Sequence, residues 1–474
     1  MLFNSLVFVI FALLFFSMFW LVKRRSRTLT WAYIVFFSFI FYGWWDWRFI
    51  FLILGSGLID FFAGRAIYRH PRYRKLFLTL SLLGNLGSLA AFKYSRFLFG
   101  QLETLLSRFD IHVELTRNLP EFLYILPVGI SFYTFQSMSY TIDVYKGELK
   151  PTRNILKFFA YLSMFPQLVA GPIVRARNLL PQLDRLKRPT EVERWHGMKL
   201  IASGYFKKIL LADNIAPLVN TAFADIHRTN STLYWWIVMT GFAFQIYLDF
   251  SGYTDIARGL AKWMGFRFKM NFNHPYLSTS FREFWRRWHI SLSTWFRDYV
   301  YIPLGGSRQG KVRSHANMWV TMVVSGFWHG ASWNFLVWGW LHALYLSFER
   351  ITRWPALLKR YRLAWVAVLF VMFQTVIAWV FFRAQSLPDA FTILHNMLWI
   401  NPNLDFTITA DVKNGIYFLV FALLIEYLFM KIKLKRILRN EQALRIAEVV
   451  LLAVMISVTI FLRGKGHAFI YFQF

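Results

Sequence analysis

Imidazole can take or give a proton near neutral pH, so the histidines are the first place to look for chemistry in this chain. Two of them, His329 and His342, lie in residues 316–348, a stretch without Asp, Glu, Lys or Arg. A third, His289, lies just upstream in residues 281–306, FREFWRRWHISLSTWFRDYVYIPLGG, which are basic and aromatic. At about 1.5 Å per helical residue from position 316, His329 would stand about 20 Å inside a hydrocarbon layer. An ionisable group at that depth marks a functional site by default. The competing reading is a neutral imidazole hydrogen-bonded between helices, which membrane bundles also use. A continuous helix would turn His342 to nearly the opposite face and carry it about 20 Å further along the axis. A structural role is therefore expected for His342, unless Gly330 bends the helix.

The segment around His289 has its own pattern. Phe281, Trp285, Trp288, Leu292, Trp295 and Tyr299 recur at intervals of four or three, the spacing of one helical face. One reading is an interfacial helix with its aromatics in lipid and Arg286, Arg287 and Arg297 among headgroups. The other is an arginine cluster that holds the phosphates of an anionic donor, since guanidinium forks match phosphate. Spacing leaves both open. Asp249 and Asp255 flank a Ser-Gly pair, which suggests capping at a helix end. Asp60 and Asp143 sit near span ends and suggest partners across helix interfaces. There is no Walker-type loop, HExxH or GxSxG. The absence of cysteine rules out thiolate chemistry and disulfides.

These residues must be positioned by helices in a bilayer. Apolar residues make up 57% of the chain, in several uncharged runs near the length that crosses about 30 Å of hydrocarbon. Lipid requires backbone polar groups to be satisfied internally, so runs of this length must be helical. The fold class expected is an all-α polytopic membrane protein of roughly eleven spans. The net charge of +30 lies in clumps between the apolar runs, as in cytoplasmic loops, which argues against a nucleic-acid groove. Residues 2–22 read as a retained first helix. The basic clusters at Lys23–Arg27 and in residues 65–75 then both place the N-terminus outside. Residues 158–171, FFAYLSMFPQLVAG, are short, contain Pro166 and have basic flanks on both sides, which reads as a re-entrant, cavity-lining segment. Residues 199–211 read as amphipathic and interfacial, with Lys207 and Lys208 beside apolar neighbours. One membrane domain is expected, with N-terminal helices in 1–160, a core in 161–348 and C-terminal helices in 349–474.

The words WRRWHISLSTWFRDYVYIPLGG and, about twenty residues later, FWHGASWNFLVWGWLH resemble the membrane-bound O-acyltransferase family, in its bacterial alginate O-acetylation branch. DFSGYTDIARG (249–259), FPQLVAGPIVR (165–175) and the closing FIYFQF (469–474) support it in matching order. The resemblance implies a bundle with funnels from both faces that meet at a thin waist. It places the family's catalytic histidine at His329 and its second site residue at His289. With them it implies substrate-binding positions at Trp285, Arg297, Asp298, Trp328 and Asn334. It implies acetyl-CoA as a cytoplasmic donor, with no permanently bound cofactor and no metal. The partners implied are the bilayer, a periplasmic acetyltransferase or acetyl carrier, and a polysaccharide acceptor, at a bacterial inner membrane. The teichoic acid D-alanyltransferases share the core motifs, so D-alanyl transfer is one alternative. A non-enzymatic exporter of polysaccharide or lipid intermediates is another.

Overall fold

The computed structural model describes residues 1–401, 409–431, 440–467 and 469–470, and every regular element among them is a helix. Among the described residues, five helical segments are long and apolar enough to cross a membrane, at Leu6–Arg25, Arg27–Arg69, Pro71–Ser107, Ala364–Arg383 and Glu441–Phe461. The chain divides into two compact units, Met1–Gly197 with Ala257–Lys269, and Met198–Ile256 with Met270–Phe474.

In the first unit, hydroxyl and carboxylate caps set the helix boundaries. Ser26 ends one helix and starts the next, its side chain accepting from Leu29 N at 3.0 Å. Asp46 closes the aromatic turn by accepting from Arg48 N at 3.0 Å. Asp60, wholly buried, joins three helices. It accepts from Ser81 Oγ, from Asn85 Nδ2 at 3.0 Å and from Thr141 Oγ1 at 2.9 Å, the interface role expected of it. Asp143 is also buried, with the Arg177 guanidinium 3.9 Å away.

The segment expected to be re-entrant is a helix, Ile155–Leu162, then a break at Ser163 and a single turn, Phe165–Leu168, that begins beside Pro166. Residues 158–176 are buried throughout. Broken backbone at such a place needs polar partners, and it has them. Gln167 Nε2 and Gln136 Nε2 both donate to Tyr161 O, at 2.6 and 3.2 Å, and Phe165 N donates to Ser38 Oγ at 3.0 Å.

In the second unit, two expectations fail together. Residues 249–255 form no helix end, because the helix Thr232–Met264 runs straight through them. Nor is Lys208 at a lipid surface. It is 5% exposed, with Nζ 2.8 Å from Asp213 Oδ1 and 2.9 Å from Asp249 Oδ1. Lys207 pairs with Asp255 at 2.7 Å. The physical reason is a wide π turn, Phe206–Ala212, between the helices Glu191–Tyr205 and Asp213–Ala224. It swings the lysines toward the two aspartates, and Gly204 and Gly252 let the backbones meet there. A Cβ on Gly252 would lie 2.7 Å from Gly204 O. The chain's last described residues close over this ion cluster. His467 O accepts from Lys208 Nζ at 3.1 Å, and Ile470 N donates to Asp249 Oδ2 at 2.8 Å. Of the closing FIYFQF, residues 471–474 lie outside the described residues.

The uncharged stretch is a helical hairpin rather than one span. Lys311–His329 ends at Gly330, and Trp333–Thr352 starts from Ser332, whose Oγ accepts from Asn334 N at 3.2 Å. Gly-Ala-Ser combines a stop with an N-cap, a signal that outweighs the unbroken apolar pattern. The two arms touch at Gly326 and Gly339, where a Cβ on Gly339 would meet Met322 O at 2.6 Å.

Candidate active site

The helix expected across residues 281–299 breaks at its histidine. Phe281–Arg287 and Ile290–Phe296 are separate helices, and a π turn, Arg297–Tyr301, follows. His289 holds the left-handed backbone between them, with φ +40° and ψ 54°, a conformation uncommon for residues with a side chain and one that concentrates at functional sites. Nor do the aromatics face lipid. Phe281, Trp288, Leu292 and Trp295 are buried in the protein, so the interfacial-helix reading fails.

Asn271 fixes this corner. Its backbone carbonyl accepts from Ile290 N at 2.9 Å, and its Oδ1 accepts from Ser291 N at 2.9 Å. The same Oδ1 lies 3.3 Å from His289 Nδ1. An oxygen that already accepts there calls for a donor on the ring, so Nδ1 carries the hydrogen and Nε2 the lone pair. The His289 ring is fully buried, edge-on to Phe250 at 4.7 Å and near Phe272 at 6.1 Å. Asn271→Ala should destabilise the fold by about 1–3 kcal/mol, because it leaves the His289 ring N–H and the Ser291 N–H without their acceptor. Thermal unfolding in detergent reads this, and an unchanged midpoint in the alanine variant would show that Asn271 does not hold the corner.

His329 is the last residue of its helix and 4% exposed. Trp328, Trp338 and Phe382 surround its ring at 5.0, 5.0 and 5.2 Å, each steeply inclined to it. One aromatic wall connects the two histidines. Phe272 meets Trp288 at 5.0 Å, Trp288 meets Trp379 at 5.1 Å, and Trp379 meets Phe382 at 5.1 Å. The hairpin also changes the relation of His329 to His342. Trp338 contacts both, at 5.0 and 4.5 Å between ring centres, so the break at Gly330 brings together what a continuous helix would separate.

The other expected site residues divide. Trp328 lies against His329, and Trp285 lies against Trp338 at 5.8 Å. Asn334 is buried and donates through Nδ2 to Ala384 O at 2.7 Å, tying the hairpin to the end of the Ala364–Arg383 helix. Arg297 and Asp298 stand on the π turn beyond the Ile290–Phe296 helix, paired to each other at 2.7 Å. Sequence reasoning missed Asn271, Phe250, Trp338, Trp379 and Phe382. Only Trp338 shares a segment with His329, and its contact follows only once the Gly-Ala-Ser break is recognised.

Two buried imidazoles in an aromatic enclosure, with no thiol anywhere in the chain, suit proton transfer to and from a hydroxyl. The model of the membrane-bound O-acyltransferase family matches residues 145–387, which hold both histidines. The chain belongs to this family. A protein named "Probable alginate O-acetylase" from Azotobacter vinelandii is 38% identical over 396 residues, covering 82% of this chain and 76% of that protein. A "Peptidoglycan O-acetyltransferase" from Helicobacter pylori is 32% identical over 398 residues, covering 78% of this chain and 74% of its own length. A "Teichoic acid D-alanyltransferase" from Bacillus subtilis is 29% identical over 243 residues, 48% of this chain and 59% of that one. The protein is a multi-pass membrane O-acyltransferase.

Proposed function

We propose that this O-acyltransferase takes an acetyl group from acetyl-CoA at the cytoplasmic face of a bacterial inner membrane and passes it outward for O-acetylation of a polysaccharide, through a periplasmic partner. The observation that carries this reading is the burial of His329 at a helix end within an aromatic enclosure, in a chain that aligns over most of its length with proteins named as O-acetylases. The teichoic acid enzyme matches over about half of the chain, which favours acetyl over D-alanyl as the group transferred.

The chemistry needs one base and a place for the donor. His329 removes the proton of the attacking hydroxyl as its oxygen bonds to the thioester carbon. The carbon–sulfur bond then breaks, and the proton returns from the imidazolium to the departing thiolate, so no external acid is consumed. His289 keeps Nδ1–H on Asn271 and presents a lone pair at Nε2. That form accepts hydrogen bonds, which suits His289 to orient a donor or a hydroxyl. Stabilising an oxyanion would require a protonated ring.

The test is purified protein in nanodiscs with radiolabelled acetyl-CoA and envelope polysaccharide from the producing cells. Release of free CoA thiol, with label moving to polysaccharide when a periplasmic extract is added, is the expected result. Thiol release from a D-alanyl carrier thioester and none from acetyl-CoA would overturn the acetyl reading.

A further inference from the structure

His342 has no hydrogen bond at either ring nitrogen, although its side chain is fully enclosed. Trp338 at 4.5 Å, Trp285 at 5.0 Å and Phe281 and Tyr345 at 5.9 Å surround it. The indole N–H groups of Trp285 and Trp338 are likewise buried without an acceptor. Burying such a group without a partner is costly, because it loses its hydrogen bonds to water and gains none in return. Phenylalanine would fill any of these places without that cost. Three adjoining residues carry it instead, and the innermost, Trp338, leans on His329.

Their position along the hairpin gives a direction. The Trp333–Thr352 helix ends at Arg350 and Arg353, a basic end that belongs in the cytoplasm. His342 therefore lies on the cytoplasmic side of His329. An acyl thioester that enters from there is carried on a flexible pantetheine arm with two amide groups. Amide carbonyls accept from indole N–H, and an imidazole can accept from one amide N–H while donating to another carbonyl.

We infer that His342, with the indole N–H groups of Trp285 and Trp338, binds the amides of the donor's thioester arm as it approaches His329. The inference rests on the thioester donor proposed above. It gives a binding role to a histidine whose sequence position suggested only structure.

The experiment uses full-length protein in neutral-lipid nanodiscs carrying His329→Ala, so that binding is read without turnover. Calorimetry compares S-acetylpantetheine, with two amides, and S-acetyl-N-acetylcysteamine, with one. The longer probe should bind more tightly. Adding His342→Phe should weaken it about tenfold and erase the difference between probes, while His342→Gln, which keeps a donor and an acceptor, restores most of the loss. The phenylalanine variant should unfold at the same or a higher temperature, since it removes an unsatisfied polar group from the interior. Unchanged affinity in a folded His342→Phe variant, or no binding of either probe, would overturn the site. Should His342→Phe fail to reach the membrane, Trp338→Phe carries the same expectation, since it keeps the ring and removes the N–H. A wild type that releases no thiol, yet binds the arm through His342, would defeat the acetyl-transfer reading and leave this one standing.

Discussion

Replacing His329 by alanine is expected to lower acetyl transfer by about 10²–10⁴-fold, the range a positioned general base supplies. The reason is its setting. The ring ends a helix at a hairpin break, with Trp328, Trp338 and Phe382 all within 5.2 Å. Those three rings are indoles and a phenyl group, none of which takes a proton near neutral pH. The variant should still insert, since Ala at a helix end removes contacts from one ring without exposing a charge. The measurement is thiol release from acetyl-CoA, the donor proposed above, at matched protein amounts, beside the wild type and His289→Ala. A His329→Ala protein that works at the wild-type rate would refute the assignment. Loss of protein from the membrane would instead show that the ring is structural.

The second large effect concerns stability. Lys208→Met should destabilise the fold by about 3–5 kcal/mol, the cost of removing one partner from a buried ionic group. Lys208 stands between two carboxyl groups that are 1% and 3% exposed, so the substitution leaves two buried acids without their shared counter-charge. The neighbouring Lys207 provides the control. Its pair with Asp255 has side chains 25% and 14% exposed, and Lys207→Met should cost about 1 kcal/mol or less. Thermal unfolding in detergent compares them directly. Equal midpoints for the two variants would mean that the buried cluster contributes nothing specific. Asp249→Asn should fall between them, because Lys208 keeps Asp213 while the amide still accepts from Ile470 N.

The helical, membrane-embedded class was legible because lipid leaves a long apolar run few choices of backbone. His329 was singled out by its depth in an uncharged stretch, and the resemblance in WRRWHISLST and FWHGASW implied a reaction for it. What sequence reading missed has a common cause, since periodicity assumes that a helix continues. The pattern 281–299 is periodic through His289, yet the chain breaks there because Asn271, in a different segment, captures the backbone N–H groups of Ile290 and Ser291. The stretch 316–348 is uncharged throughout, yet Ser332 starts a new helix within it. Lys208 looked like a surface residue because its two counter-charges lie five and forty-one positions away, and only the second unit's folding brings Asp249 to it.

The π turn at Phe206–Ala212 has a consequence for insertions and deletions rather than substitutions. Such a turn is equivalent to one extra residue slipped into an α-helix. Deleting any single residue of it would restore the ordinary pitch and rotate everything beyond by about 100°. The buried face of Asp213–Ala224, with Ile215, Leu218, Val219 and Ala222, would then point elsewhere, and Asp213 would leave Lys208. A chain that tolerates many residue exchanges along this helix should therefore be intolerant of losing one residue from it. The wide turn acts as a phase setting, which makes the length of this segment matter more to the fold than the identity of any one residue in it.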